Sequence, residues 1–291
     1  MSAPVTVIIP AYNEQVNLSA AIKSVAGWAE QVIVVDSFSK DATVEIADTL
    51  GAEIYRHKYE SIAAQRTWAM NLPAVRNRWI FNLDADERLT DELKDELNYR
   101  LHNIPDEVGA FAIRRKHIFM GRWMRHGGDY IWLIRLVRKG RCRIIKTPYL
   151  NEHTIVNGRV EKLEADFIHL TEKTFTEWVE RQARGSLKYT LAMLNNTTDD
   201  PRPDPEKGES IEGPVRTWLN HRLFYKTPFF IRPFIRFFVN YFLRGGFLDG
   251  WQGYVYHTVN DFLYPFFVYA NRREIRQSAD AREFAEKSLW R

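Results

Sequence analysis

Val5-Thr6-Val7-Ile8-Ile9-Pro10-Ala11-Tyr12-Asn13-Glu14 opens the part of the chain that decides its fold. The β-branched run from Val5 to Ile9, ended by Pro10, reads as a strand buried on both faces, since a strand with one wet face would alternate apolar and polar residues. From Glu14 to Trp28, Val16, Leu18, Ala21, Ile22 and Val25 recur at roughly helical spacing. The pattern then repeats. Val32 to Val35 is a second strand closed by Asp36, with a helix over Asp41 to Leu50 opened by Ser39 or Asp41. Ala52 to Tyr55 is a third strand, Ser61 to Leu72 a third helix, Trp79 to Leu83 a fourth strand, and Thr90 to Leu101 a fourth helix. Alternation of this kind builds a mostly parallel α/β sheet flanked by helices. Gly109–Arg115, Trp132–Arg138 and Cys142–Lys146 are expected as further strands with less regular connections.

Ligands of such sheets bind beyond the carboxyl ends of the strands. The residues there are Ala11-Tyr12-Asn13-Glu14, Asp36-Ser37-Phe38-Ser39 and Asp84-Ala85-Asp86-Glu87, so one rim collects several carboxylates. Asp84 and Asp86, separated by the small Ala85 directly after a buried strand, can reach one ion without a bulky side chain between them. Mg²⁺ or Mn²⁺ takes oxygen ligands and binds through one or two carboxylates plus substrate phosphates. The bland reading of Asp-x-Asp is a solvated turn, but an acidic pair placed here needs a counter-charge. Asp36 has its own structural reading as a helix N-cap. With Tyr12, Glu14 and the Asp84/Asp86 pair it forms a rim suited to a base, a ribose and a metal-held diphosphate.

Composition bounds the rest. The 291 residues suffice for a catalytic domain with an appendage, and 45% hydrophobic with 27% charged residues excludes general disorder. The net charge of +4 suits anionic ligands such as diphosphates or acidic lipid headgroups without singling out nucleic acid, which is not expected as a partner. The lone Cys142 excludes an intrachain disulfide and a cysteine-built zinc site and suits a reducing compartment. Met1-Ser2-Ala3-Pro4 enters the first strand with no basic, cleavable segment, and the expectation is a cytoplasmic protein.

Four segments together, Val7 to Glu14, Val34 to Ser37, Ala63-Ala64-Gln65-Arg66 and Leu83-Asp84-Ala85-Asp86-Glu87, resemble the inverting family-two glycosyltransferases with the GT-A (Rossmann-like) fold. Arg135-Leu136-Val137-Arg138-Lys139-Gly140, Asn151-Glu152-His153, His169 and Gly246-Phe247-Leu248-Asp249-Gly250 are similar to the branch that adds glucose-type sugars to lipopolysaccharide inner core. The resemblance implies transfer of a hexose from a nucleotide-diphosphate sugar, of UDP-glucose type, to a glycan or glycolipid hydroxyl, with Mg²⁺ or Mn²⁺ as cofactor. It places Pro10, Ala11, Tyr12, Glu14 and Asp36 around the nucleoside, and Gln65 and Arg66 near it or the diphosphate. Asp84, with Ala85 beside it, would sit at ribose and metal, and Asp86 would ligate the metal. Phe38 and Lys40 depart from the family's Asp-Ser-Gly-Ser-x-Asp pattern, and Phe38 enters positive φ less freely than glycine, so the shape of that loop is in question.

An inverting transfer needs one general base on the acceptor side. Glu152 is the candidate, after a strand-like segment and within the family's Asn-Glu motif, and Asp129 after Gly127-Gly128 competes with it. His169, at the end of a strand, is a candidate for the metal shell or the diphosphate, against a purely structural reading. Arg135 and Arg138 are expected to present cations on one strand face, toward phosphate or merely solvating an edge. Two rival functions differ in class. A sugar-phosphate nucleotidyltransferase would carry a glycine-rich loop after the first strand, where this chain has Pro10-Ala11-Tyr12-Asn13. A non-enzymatic peripheral membrane protein that senses nucleotide sugars would not need the Asp84/Asp86 pair.

Aromatic residues, with 9 Trp, 13 Tyr and 18 Phe, crowd toward the C-terminal third. Phe229 to Leu243 is too short and too charged to span a bilayer. Read as one helix, it carries Arg232, Arg236, Asn240 and Arg244 as a four-residue polar stripe, suited to an anionic membrane interface on the inner face of the cell membrane or to packing in a homodimer. The expected organisation is a catalytic domain over 1–210, with a donor half over 1–115, an acceptor half over 116–194 and a linker over 195–214. A helical region would follow over 215–291.

Overall fold

The computed structural model describes residues 2–102, 104–146, 152–170, 174–195 and 227–288. The linker expected beyond Asn195, and Asn151, lie outside the described residues. The described chain divides into two units, one of residues 2–102, 104–118, 131–146 and 152–170, the other of residues 119–130, 174–195 and 227–288.

The first unit is the α/β sheet. Its strands are β1 (Ala3–Ala11), β2 (Ala29–Asp36), β3 (Glu53–Arg56), β4 (Trp79–Asn82), β5 (Glu87–Leu89), β6 (Val108–Phe119), β8 (Trp132–Arg138) and β11 (Arg159–Leu170), with β7 (Arg122–Trp123) in the second unit. The order β3-β2-β1-β4-β8-β6-β11-β5 runs parallel through β4. β8 then pairs antiparallel with both β4 and β6, β11 lies parallel to β6, and β5 closes antiparallel on β11. β9 (Cys142–Lys146) and β10 (Glu152–Val156) form a separate antiparallel pair.

β1 lies between β2 and β4, which is why its run shows no alternation: Val5, Val7, Ile8 and Ile9 are all buried. Odd residues Val5, Val7 and Ile9 join one core cluster with Leu18, Ile22 and Val25 of α1 (Leu18–Val25), while Ile8 joins a second with Ala63 and Ala69 of α3 (Ile62–Met70). The strand's two faces therefore serve helices on both sides of the sheet. α2 (Thr43–Thr49) and α4 (Asp91–His102) complete the helices of this unit. α1, α2 and α3 are shorter than their sequence patterns, α4 is shifted by one residue, and α3 is started by Ser61, whose hydroxyl accepts from the Ala64 amide at 3.1 Å.

In the second unit α5 (Phe175–Asn195) packs on α8 (Tyr264–Gln277), preceded by α6 (Arg232–Phe237) and α7 (Gly250–His257) and followed by α9 (Ala279–Ser288). Phe119, Met124, Trp178, Tyr256 and Val259 form its aromatic core. The Gly-Gly and Gly-Phe-Leu-Asp-Gly segments serve packing here. Gly127 has φ +72°, and a Cβ on it would lie 2.0 Å from His257 Cε1. Asp249 is buried and accepts from the His126 amide at 2.9 Å.

One expectation is corrected. Phe229 to Leu243 is not a single α-helix: α6 begins at Arg232 and passes at Phe238 into a π-helical segment, Phe238–Leu243. The polar residues of the stripe are also engaged within their own unit. Arg236 Nε donates to the buried Asp261 at 2.8 Å, Arg244 donates to Asn240, and Arg232 lies over the Phe229 ring. Phe234, Phe238 and Phe242 are exposed, and so are Arg236 and Arg244.

Candidate functional site

A cavity of about 330 Å³ opens beyond the carboxyl ends of β1, β2 and β4, within the first unit. Pro10, Ala11, Tyr12, Glu14, Gln65, Asp84, Ala85, Asp86, Arg135 and His169 all line it, so ten of the residues singled out in the sequence converge on one space. A larger open hollow of about 780 Å³ on the outer face of α3, around Trp68, Pro73 and Ile144, offers only Glu60 as a charged group and lacks convergent chemistry.

The rim is built by latching two loops. After β1, the Asn13 amide donates to Ser39 Oγ at 2.9 Å, and Asn13 Oδ1 accepts from the Lys40 amide at 2.9 Å. The Glu14 amide donates to Thr43 Oγ1 at 2.8 Å and the Gln15 amide to Asp41 at 3.2 Å. Ser39, Asp41 and Thr43 thus fix where Tyr12 and Glu14 stand. Asp36 is wholly buried, and its carboxylate accepts from the amides of Phe38 at 3.0 Å and Ser39 at 3.1 Å. It holds its own turn, and its neighbour Ser37 lines the cavity. Phe38 does take the glycine-like conformation, with φ +63°. Gln65 is buried behind Ser37 and donates to its hydroxyl at 2.8 Å.

The floor is an ion-pair network. Asp84 meets Arg66 through Oδ1 and Arg135 Nη2 through Oδ2 at 2.9 Å, and Arg135 also pairs with the buried Glu87. Burial pushes the Asp84 carboxyl up, but the two guanidiniums pull harder and hold it well below the usual carboxylate range. Burial also raises Glu87, with Asp84 and Asp86 adding to the rise against Arg135, to about 7. Arg135 owes its place to a β-bulge. Phe111 pairs with Leu136 and Ala112 with Ile134, leaving Arg135 as the extra residue of β8. Strict alternation would set Arg135 and Arg138 on opposite faces. Instead they lie over Phe167 and Trp79, rings of the same core cluster, and β8 is an interior strand, so neither arginine solvates an edge.

His169 reaches the acidic loop through strand pairing. Its partner across β11 and β5 is Glu87, and the Leu170 amide donates to the Asp86 carbonyl at 2.9 Å. His169 Nδ1 stands 3.4 Å from Asp86 Oδ1, and the His117 ring lies beside His169 at 4.8 Å. A carboxylate facing an imidazole suits a divalent ion such as Mn²⁺ or Mg²⁺. No cluster of three acidic, histidine or cysteine ligands occurs among the described residues, so diphosphate and water would fill the remaining positions. Of the three metal candidates, Asp86 and His169 face each other, whereas both oxygens of Asp84 are taken up by arginines.

The two base candidates stand apart in the chain's organisation. Glu152 opens β10, paired with Lys146 of β9; its side chain lies outside what is described. Asp129 belongs to the second unit, where Tyr256 Oη donates to it at 2.8 Å. Tyr59, Ile62 and Arg115 line the cavity without having been singled out, and Ser37 and Glu87, noted only as members of the rim segments, line it too. A charge inside the strand-like run Ala110 to Phe119 was the available signal for Arg115.

The fold and this cavity define an α/β protein with an acid-and-arginine ligand cavity at the strand ends. The profile of glycosyl transferase family 2 matches residues 6–157, and the chain belongs to that family. An uncharacterized glycosyltransferase of Rickettsia bellii is 39% identical over 99 residues, 34% of this chain and 33% of that protein. The chain thus spans about a third of that relative's length in the match. The lipopolysaccharide core biosynthesis glycosyltransferase LpsC of Rhizobium meliloti is 29% identical over 163 residues, 54% of this chain and 59% of that protein. Among solved structures, glucosyl-3-phosphoglycerate synthase of Mycobacterium tuberculosis, in complex with Mn²⁺, UDP and glucosyl-3-phosphoglycerate, aligns with TM-score 0.32 and 19% identity over 39% of this chain and 43% of that one. No described helix is long and apolar enough to cross a membrane.

Proposed function

We propose that the chain is an inverting glycosyltransferase that moves a hexose from a nucleotide-diphosphate sugar, of UDP-glucose type, to a hydroxyl of a lipid-linked glycan or lipopolysaccharide core acceptor, working on the cytoplasmic side at a membrane surface. The observation that supports it most is the convergence of Tyr12, Glu14, Asp84, Asp86, Arg135 and His169 on one cavity at the strand ends. The LpsC relative supports the acceptor class.

In this reading Tyr12, half exposed at the rim, offers a ring face to the base, and Glu14 and Ser37 offer acceptors and donors to the nucleoside. Asp84, kept ionised by Arg66 and Arg135, is an acceptor for ribose hydroxyls. Arg115 and Arg135 set positive charge where a diphosphate departs. Asp86 and His169 would hold a divalent ion, which when bound supplies charge neutralisation for the leaving diphosphate. Glu152 takes the proton of the acceptor hydroxyl as the new bond forms, with Asp129 as the competing base.

The test is transfer from UDP-glucose to a core oligosaccharide, read by mass spectrometry. Glu152→Gln should lower turnover by roughly 10²–10⁴-fold with donor affinity little changed. If Asp129→Asn is crippled and Glu152→Gln is not, the base is Asp129. If no nucleotide sugar yields product with the wild type, the enzymatic reading fails.

A further inference from the structure

We infer that the outward aromatic face of the C-terminal unit, centred on Phe234, Phe238, Phe242, Phe247, Trp251 and Tyr254, is a docking surface for the interface of an anionic lipid bilayer. This deepens the membrane-surface part of the reading above and rests on it only for the location, not for the donor chemistry.

The face is continuous. Phe234, Phe238 and Phe242 are 61%, 53% and 51% exposed and recur every four residues along α6 and the π-helical segment that follows. Phe238 meets Phe242 with ring centroids 5.5 Å apart, and Phe242 meets Tyr241 at 5.0 Å. Tyr241 in turn touches Phe247 at 6.3 Å and Tyr254 at 5.8 Å. At the other end Phe234 meets Phe262 at 4.9 Å, and Phe262 stacks toward Phe266. Leu243, next to Phe242 in the chain, and Trp251, three residues before Tyr254 on α7, are 69% and 60% exposed. Contiguous apolar surface of this extent marks an interaction site rather than scattered exposure.

Charge selects the occupant. Between Phe229 and Ala270 the only carboxylates are Asp249 and Asp261, and both are buried. Asp249 is engaged by His126, and Asp261 by His257 and Arg236. The charge that reaches the surface is therefore guanidinium, with the Arg236 side chain 44% exposed despite its pairing. An apolar, aromatic face edged by cations, with no surface carboxylate between Phe229 and Ala270, complements acidic headgroups over acyl chains. Docking of this kind needs no spanning helix, in keeping with the described helices. Phenylalanines make the insertion; the arginines hold the helix to its own unit and add attraction from the edge.

The experiment is co-sedimentation of the full chain with vesicles of phosphatidylglycerol and phosphatidylethanolamine, beside vesicles of phosphatidylcholine. Wild type should pellet with the first and much less with the second. The triple variant Phe234→Ser, Phe238→Ser, Phe242→Ser should lose at least about tenfold in partitioning, with an unchanged melting curve and unchanged UDP-glucose titration, since the replaced rings are exposed. Independently of that variant, brominated acyl chains should quench a part of the wild-type fluorescence that Trp251→Phe removes. Wild type that stays in the supernatant, or a folded triple variant that pellets equally, overturns the inference. So does a wild-type dimer in light scattering that the triple variant converts to monomer without vesicle binding by either, because the face then belongs to a second copy. Because sedimentation needs no turnover, its failure leaves the donor reading standing, and failure of the donor titration leaves this one standing.

Discussion

The Phe38 amide donates to Asp36 Oδ2 at 3.0 Å while Phe38 itself sits at φ +63°, so the buried carboxylate holds a residue in a conformation that its side chain disfavours. Left-handed backbone costs an L-residue roughly 1–2 kcal/mol, and glycine escapes that cost at the expense of about 0.5–1 kcal/mol of entropy. Phe38→Gly should therefore leave stability unchanged or raise it by up to about 1 kcal/mol, and Phe38→Val should lower it by more than about 1 kcal/mol. Asp36→Ala should cost more than either, because two loop amides lose their acceptor. Urea unfolding of the three variants gives the order, and a Phe38→Val protein as stable as wild type would contradict this account of the turn.

Arg135 joins Asp84 to Glu87, and its removal strands a buried carboxylate. Arg135→Met should destabilise the chain by up to about 3–5 kcal/mol, the range for breaking a buried pair, lessened to the extent that Glu87 takes up a proton. Arg135→Lys, which keeps the charge but not the planar guanidinium whose Nη2 meets both Asp84 and Glu87, should fall between. Chemical unfolding near neutral pH checks the order. A loss below about 1 kcal/mol for Arg135→Met would mean that the network is not held as the distances indicate.

Asp41 sets an acid-side prediction. Burial, the largest single influence, pushes its carboxyl up, but hydrogen bonds from the Thr43 hydroxyl and from the amides of Thr43 and Gln15 together outweigh it and leave the group below the usual value of 3.8. A depressed native value means that the stabilisation is complete above the unfolded-state value and is lost as pH falls through the native one. The stability gap between wild type and Asp41→Asn should hold steady from neutral pH down to about 4 and then shrink. Thermal melts across that range decide the matter; a gap that widens in acid would reverse the sign.

The parallel half of the sheet was legible because β1, β2 and β4 carry unbroken β-branched or aromatic runs that end in polar rims, and those rims meet in space. β5 escaped notice, being three residues long and directly behind the acidic loop, and with it went the pairing that carries His169 to Asp86. Arg135 was visible as a candidate, but its target depends on a bulge that pattern reading at period two does not show. Asp36 could be read from sequence either as a nucleoside contact or as a structural cap, and its carboxylate is bonded to the amides of its own turn, a geometry that composition does not show. For the arginines of α6, four-residue spacing identifies a shared face but not its partners: Asp261, 25 residues beyond Arg236, accepts from it.

The central claim is that the cavity binds a nucleotide-diphosphate sugar through a divalent ion held by Asp86. Isothermal titration of UDP-glucose into the wild-type chain in Mn²⁺, and again in excess chelator, tests it most directly, with Asp86→Ala in Mn²⁺ as the paired sample. The account predicts saturable binding to the wild type in Mn²⁺ that falls by roughly 10-fold or more in chelator and likewise in the folded Asp86→Ala protein. Equal affinity with and without the ion, or no binding of any nucleotide sugar by the wild type, would contradict it.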